Sequence, residues 1–508
     1  MEHSHFDCRT ELINLLLSKL INNLEYTLTS GSLEVEISSI AYDSRRVAEN
    51  SIFVAVTGFS VDGHKFIDMA IKNGAKAIVV EKDICVETDV TIIKVKDTRN
   101  VLAKLSALFF DNPTSKFNLI GVTGTNGKTS VTYLLKAIYD RANRTTGLIG
   151  TNGTIIKNQS IKNKNTTPES LDLQQLFSNM VAANTSDCIM EVSSHSLSLD
   201  RVAYSNFNVG IFTNLTPDHL ELHKSMEEYF RAKAKLFYLS TDFNIINVDD
   251  PYGKRLADEV RNLNTKLITY GINNEADIYA SNIEYSSDSV TYIANTPKGQ
   301  ISIKVNIPGV IYVYNSLAAI ACAYCNNISL KDIQTGISSV KGIKGRFEIV
   351  PTNKDFTVII DFAHTEDGLQ KALTTVKQFA KGRIILVFGV YAAPGEEGSD
   401  KRWGMGKVAA EYADIAIVTS DNPKEQDPVS IIEDIVESIK VHNGEFKAIV
   451  DRKEAIKYAI GISQKDDIIF IAGKGHETTQ IIGTEEIPFN EKEIVTETIN
   501  NSGEIKIS

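Results

Sequence analysis

Gly124-Thr125-Asn126-Gly127-Lys128-Thr129-Ser130 combines residue types at a spacing suited to holding phosphate. Glycines let backbone N–H groups turn toward an anion, a lysine adds a point charge, and a threonine hydroxyl can hold Mg²⁺. The generic phosphate-loop pattern wants a glycine where Val122 stands; here Gly121 comes one residue early and Gly124 lies inside the loop, so the loop is a variant. A glycine-rich turn that binds nothing is the bland alternative, but glycines, lysine, threonine and flanking elements all agree on a nucleoside triphosphate.

Further residues could act on such a ligand. Glu191 closes the apolar run Cys188-Ile189-Met190, and a carboxylate at the end of a strand commonly reaches Mg²⁺ in phosphate-loop folds. Thr213-Asn214-Leu215-Thr216-Pro217-Asp218-His219 and His223 gather polar groups after another apolar run, where ligands bind at the edge of such sheets. Asp361, ahead of Phe362-Ala363-His364, is suited to a ribose hydroxyl pair, and Arg346 to a phosphate. Asp421-Asn422-Pro423-Lys424 and Gly473-Lys474-Gly475-His476-Glu477 mix turn geometry with polar side chains at strand ends. Three such loops at one edge suggest a second substrate site. By composition alone Lys233 is an ordinary surface lysine.

These residues need elements to position them. The loop lies between an apolar strand (Leu119, Ile120, Val122) and a segment with Val131, Leu134, Leu135 and Ile138 at helical spacing. Before it, strands are expected at 51–56, 77–81 and 91–95 and helices at 66–72 and 101–110; the Asp111-Asn112-Pro113 turn marks a boundary. After it, strands at 188–192, 209–212 and 245–247 alternate with helices, the signature of a mainly parallel, doubly covered sheet. Alternation over 278–307 predicts appended antiparallel strands, followed by helices near 312–325 and 330–339. Strands at 358–361, 384–388, 415–419 and 468–472 then predict a dinucleotide-fold-like layer, with a frayed tail after Asn500. The chain therefore reads as α/β in three domains: 1–112, 113–343 with the phosphate loop, and 344–508, the last Rossmann-like.

A chain of 508 residues accommodates about three domains. The net charge of −11 argues against a nucleic-acid surface and offers no polybasic membrane patch. No stretch is long enough to insert in a membrane and no signal-peptide pattern opens the chain, so a cytoplasmic protein, working as a monomer, is expected. The five cysteines are sparse, and Cys322 and Cys325, though spaced C-x-x-C, follow an alanine-rich helical run and read as buried helix-face thiols rather than redox or zinc ligands.

Taken together, the motifs from Tyr42-Asp43-Ser44-Arg45 to the region of Glu493 resemble, in the same order, those of the Mur ligases, and within them the MurE type, the UDP-N-acetylmuramoyl-tripeptide synthetases. The resemblance implies an ATP-dependent ligase of peptidoglycan precursor synthesis. Its substrates would be UDP-N-acetylmuramoyl-L-alanyl-D-glutamate and an amino acid, meso-diaminopimelate or L-lysine, joined through an acyl phosphate. It implies that Gly124 to Ser130 hold ATP with Asn315, Arg346 and Asp361, and that Thr129 and Glu191 hold the first of two Mg²⁺ ions. His219 would bind the second, supported by a CO₂-derived carbamate on Lys233, so Lys128, Lys233 and His219 are the expected catalytic groups. Thr166, Thr167, Ser193 and Arg201 match positions that hold the muramoyl-dipeptide, and Ser44 and Arg45 its UDP end. Glu397, Asp421, Asn422, Lys424, Gly473 and Glu477 fall in the amino-acid pocket.

That pocket departs from the family pattern. Lys424 stands where diaminopimelate-adding ligases have arginine, replacing a bidentate fork by a point charge. The loop Tyr391 to Asp400 is rewritten, placing Glu397 at the position of a carboxylate-binding arginine, and Glu366 replaces a proline. Reversing local charge disfavours a distal carboxylate and favours a side-chain amine. Two other readings stay open: a paralogue that joins another amino acid or acceptor outside the wall pathway, and a non-catalytic nucleotide-binding scaffold; Tyr42 to Arg45 and the first domain, which resemble the UDP-binding part of the MurE type, argue against a folylpolyglutamate-synthetase-like enzyme.

Overall fold

Residues 14–58, 61–84, 89–157, 159–392 and 395–501 are described in the computed structural model, apart from the side chains of Glu221, Glu396 and Glu397. The expectations for Glu397's side chain, for Cys8 and Cys85, and for the polar tail from 502 onward lie outside them.

The apolar runs become strands buried on both faces. Asn118–Thr123, Asp187–Glu191, Val209–Phe212 and Phe243–Asn247 sit side by side in an eleven-stranded sheet, and the pairings from Thr146–Gly150 across to Ile278–Tyr285 are parallel. Period-two alternation divides each strand between two cores. Ile120, Val122, Ile189 and Ile211 pack with Val131, Leu134 and Ile138 of the helix Lys128–Arg141 and with the helix Val310–Cys325. Leu119, Cys188, Met190 and Phe212 face the opposite layer, with Phe177, Phe230 and Phe237. Covering both faces is what allows unbroken apolar strands instead of amphipathic ones.

Antiparallel hairpins extend the sheet at both ends. The one at 290–305 agrees with the sequence pattern, whereas the pair Gly153–Ile156 and Gln159–Ile161 was not anticipated. Cys322 and Cys325 are buried thiols on the helix Val310–Cys325, as expected.

The first sheet has the order Thr27–Ser30, Thr91–Lys94, Ala75–Val80, Ser51–Val54, Ser39–Ala41, and its outermost strand Thr27–Ser30 is antiparallel. Two expected boundaries move for local reasons. The helix expected at 101–110 begins at Thr98 because Asp97 accepts hydrogen bonds from Arg99 N and Asn100 N. The one expected at 66–72 is the helix Ile67–Lys72 after a 3₁₀ turn Gly63–Phe66 capped by Asp62. The third sheet runs Glu348–Val350, Thr357–Asp361, Ile468–Ala472, Ile384–Phe388, Ile415–Val418, Phe446–Ala448, and the last five are parallel. Its polar loops leave from the carboxyl ends of these strands, the edge at which parallel sheets bind ligands.

Candidate active site

The strand Asn118–Thr123 has neighbours on both sides, and the loop that follows it turns straight into the helix Lys128–Arg141. Gly127 caps that helix at φ +93, where a Cβ would collide with Asn315 Oδ1, so only glycine fits the turn. No side chain caps the helix at that residue, which leaves its first N–H groups for an anion. Lys128 Nζ lies over the loop, donating to Gly124 O at 2.8 Å and Thr125 O at 2.9 Å. The strand-end segment after Phe212 braces the loop: Thr213 Oγ1 donates to Asn126 O at 2.6 Å, and Asn214 Oδ1 accepts from Asn126 N at 3.0 Å.

Thr129 and Glu191 meet at the end of the strand Asp187–Glu191. Thr129 Oγ1 donates to Glu191 Oε2 at 3.0 Å, and both residues are buried. Thr151 donates its backbone N–H and its hydroxyl to the two carboxylate oxygens, each at 2.9 Å. A hydroxyl and a carboxylate side by side are the hard oxygen donors that Mg²⁺ prefers, so the residues fit that ion. Among the described residues no group of three His, Cys, Asp or Glu is arranged to hold a metal.

Lys233 is not the surface lysine its composition suggests. It lies in the helix Met226–Leu239, about 1% exposed, with Nζ donating to Gly124 O at 2.9 Å and 4.6 Å from the Tyr229 ring centroid. Burial, and then the neighbouring Lys128, push its pKa well below the usual lysine value, against the opposing pull of Asp218. A neutral amine is the form that reacts with CO₂, so the residue fits a carbamate. His219 occupies the left-handed region at φ +56, and its Nε2 is 3.4 Å from Asp218 Oδ2. Burial alone would raise the Asp218 pKa, but His219, Lys401, His364 and Lys128 together hold it far below the ordinary carboxylate value.

The third-sheet region closes over this floor. Arg346 Nη2 donates to Thr129 Oγ1 at 3.1 Å and its guanidinium lies 4.4 Å from the Phe362 ring centroid. Asp361 accepts from Phe347 N at 2.6 Å and Ala363 N at 2.7 Å, and burial raises its pKa against the pull of Arg346. Asp367 accepts from Asn126 Nδ2 at 3.1 Å. Between these walls lies a cavity of about 530 Å³ lined by Thr125 to Ser130 together with Glu191, His219, Asn315, Arg346 and Asp361. Asn315 Nδ2 is buried there without a hydrogen-bond partner, an unmet donor at the wall.

Thr166 and Ser193 also line the cavity, whereas Thr167 and Arg201 do not. Thr167 is fully buried, its hydroxyl donating to Glu191 O at 2.9 Å and accepting from Ser193 N at 3.1 Å, so in this arrangement it supports the wall rather than facing a ligand. Arg201 is paired with Glu169 at 2.7 Å. Ser44 and Arg45 lie apart, in the first sheet's region. Ser44 is buried against Met69, and Arg45, exposed, pairs with Asp43. Tyr42 and Arg46 tie this region to Asp172 of the middle one, at 2.5 and 3.0 Å.

Asn422 and Glu477 do come together. Asn422 Nδ2 donates to Glu477 Oε2 at 3.1 Å, and the fully buried Lys474 donates to Asn422 Oδ1 at 2.9 Å and Glu477 Oε2 at 2.7 Å. Lys424, exposed and at φ +49, is fixed through its backbone, donating to Ile481 O at 3.2 Å and accepting from Gly483 N at 2.8 Å. A stack of rings joins this loop pair to the cavity, with Phe362 4.9 Å from His476.

Lys401 is a residue that sequence reasoning passed over. It lies in the helix Gly395–Tyr412, with Nζ 2.7 Å from Tyr391 Oη and 3.7 Å from Asp218 Oδ1. It brings a second cation from the third region to the catalytic floor. No local signal marks it, because Asp218, the charge it meets, lies far away in the chain.

Three family domains match the chain: the Mur ligase family catalytic domain over residues 36–110, the Mur ligase middle domain over 122–323 and the Mur ligase glutamate ligase domain over 345–475. A protein of Alkaliphilus metalliredigens named UDP-N-acetylmuramoyl-L-alanyl-D-glutamate–2,6-diaminopimelate ligase is 45% identical over 487 residues, covering 96% of this chain and 98% of its own. One of the same name from Clostridioides difficile is 44% identical over 95% of this chain and 99% of its own. A solved structure of a ligase so named superposes with a TM-score of 0.69 at 27% identity, covering 97% of this chain and all of that one.

Proposed function

Because the chain belongs to the Mur ligase family, we propose that it is an ATP-dependent ligase adding meso-2,6-diaminopimelate to UDP-N-acetylmuramoyl-L-alanyl-D-glutamate in peptidoglycan precursor synthesis. The observation that carries the proposal is a phosphate loop faced by a cation from the next region, Arg346 on Thr129, over a carboxylate–hydroxyl pair suited to Mg²⁺. The division of labour assigned to segments 1–112, 113–343 and 344–508 is supported by the three larger sheets and three family matches in the same order.

The reaction begins with the substrate carboxylate attacking the γ-phosphate, giving an acyl phosphate and ADP; the amino group then displaces phosphate. Both steps bring anions together, so the site must hold negative charge and exclude water. Lys128 and the helix N-terminus hold the phosphates, and Arg346 and Lys401 approach from the opposite wall. Thr129 and Glu191 would hold one Mg²⁺, and His219 with a carbamate on Lys233 would hold the second; metal there would supply positive charge against the phosphoryl oxygens. Asn315 and Asp361 contact the nucleoside. Thr166, Ser193 and Arg201 hold the dipeptide, Thr167 supporting them from behind. Ser44 and Arg45 take the UDP end. Asp421, Asn422, Lys424, Gly473 and Glu477 surround the amino acid.

Lys424, a point charge, takes the place of a bidentate contact to the distal carboxylate. The enzyme works as a monomer on substrates of the cytoplasm. Among the described residues no helix is long and apolar enough to cross a membrane. The proposal is tested by phosphate release from ATP with each substrate omitted in turn. Release that needs the UDP-dipeptide and diaminopimelate together is expected; release independent of the amino acid overturns it.

A further inference from the structure

Arg452 is among the largest fully buried side chains of the described protein, and nothing in the reaction as set out uses it. It opens the helix Arg452–Ile462, whose start Asp451 caps. Its Nη2 donates to Ala472 O at 2.7 Å and its Nη1 to Ser420 O at 3.4 Å. Nε and Nη2 both donate to Glu491 Oε1, at 2.8 and 2.7 Å, and Glu491 is equally buried.

The destination of these bonds separates two roles. A buried ion pair that only joined a helix to a sheet could be exchanged for apolar side chains of similar size. Here the guanidinium reaches the carbonyls immediately before Asp421 and Gly473, where the strands Ile415–Val418 and Ile468–Ala472 give way to the polar loops. The two strands are not neighbours, because Ile384–Phe388 runs between them, so Arg452 fastens the loops across an intervening strand. The loops meet directly beyond it. Gly473 is at φ +116, and a Cβ there would sit 2.6 Å from Asp421 Oδ2 and 3.8 Å from Arg452 Nη2. The planar fork presents donors on three separate nitrogens and so reaches two carbonyls and a carboxylate that lie apart, whereas an ammonium offers its three donors from a single point.

We propose that Arg452, oriented by Glu491, is a positioning residue for the amino-acid substrate: by holding the Ser420 and Ala472 carbonyls it sets the spacing between the loops that carry Asn422 and Glu477. This rests on the reading that those loops bind the amino acid. Arg452 touches no substrate and acts through the backbone of both loops.

The test compares three variants with the parent enzyme, measuring KM for ATP, UDP-dipeptide and amino acid separately. Arg452→Met with Glu491→Gln removes both charges, so no buried ion is left unpaired, while the carbonyl contacts are lost. Arg452→Lys keeps the pair with Glu491 and drops the fork, which serves if the double variant does not fold. Either is expected to raise KM for the amino acid about tenfold or more, the size found when groups supporting a ligand site are removed. KM for ATP should stay within about twofold, because the phosphate loop is untouched. Equal rises in all three KM values, or unchanged amino-acid KM, would overturn the role. Asn422→Ala separates the two levels of the claim. If it leaves amino-acid KM unchanged, the loops are not the amino-acid site and both claims fall. If it raises KM while the Arg452 variants do not, only the positioning role falls.

Discussion

Arg346 Nη2 lies 3.1 Å from Thr129 Oγ1, and the same hydroxyl donates to Glu191 at 3.0 Å, so one hydrogen-bonded line crosses from the third region to the phosphate-binding helix. A cation reaching the loop from another region makes catalysis depend on how the two regions close, a gating familiar in ligases that must exclude water. Arg346→Ala is expected to lower kcat roughly 10²-fold, the scale of losing one charge-stabilising donor, with partial recovery in Arg346→Lys. Steady-state kinetics of both variants check this; equal activity in all three enzymes contradicts it.

Lys128→Ala should abolish ligation while leaving the fold intact, because its amine donates to the loop carbonyls of Gly124 and Thr125 rather than into a core. A thermal melt close to the parent's, together with absent phosphate release, is the expected result. Undiminished turnover sinks the assignment of the loop.

Glu191→Gln keeps the shape of the side chain and, through Oε1, the hydrogen bond from Thr151 N, but its amide nitrogen cannot accept from the Thr151 hydroxyl and the charge is removed. The Mg²⁺ concentration for half-maximal rate should rise roughly tenfold or more. Chelator should stop the parent enzyme and added Mg²⁺ restore it. An unaltered Mg²⁺ titration in the variant would remove Glu191 from the metal site.

Lys233→Ala should be nearly inactive and regain part of its rate with a short carboxylic acid, which can replace the anion of a carbamate. Full activity without the acid means the carbamate is dispensable.

His476 carries a pH dependence of stability. Its pKa is lowered from 6.5 to about 3, first by burial and then by Arg346 and other nearby positive groups. The unfolded chain binds a proton below about 6.5 that the folded chain refuses until about 3, so stability falls as pH drops through that window. Replacing His476 with leucine should flatten this slope in melts recorded from neutral to acid pH. Parallel slopes would show that the imidazole is not held neutral.

Much of this organisation is legible in the sequence because it is local. The Gly124-to-Ser130 loop, the strand ending at Glu191 and the strands Val209–Phe212, Ile384–Phe388 and Ile468–Ala472 follow from apolar runs bounded by turn residues. The hairpin between Thr146–Gly150 and Gly153–Ile156 turns over Thr151-Asn152, a pair with no strong turn signal, and the glycines on either side mask the strand pattern. Lys233, Lys401 and Arg452 could not be found this way. Each looks like a solvated cation until distant segments bury it against Gly124, Asp218, or Ser420 and Ala472. Asn422 and Glu477 were named separately, but that Lys474 binds both emerges only from the fold.

The most direct measurement is the mass of the product formed from ATP, UDP-N-acetylmuramoyl-L-alanyl-D-glutamate and an equimolar mixture of meso-diaminopimelate, L-lysine and L-ornithine. The account predicts a single UDP-tripeptide carrying diaminopimelate, formed with one phosphate released per peptide bond. A lysine or ornithine product, or phosphate release with no tripeptide, would contradict it.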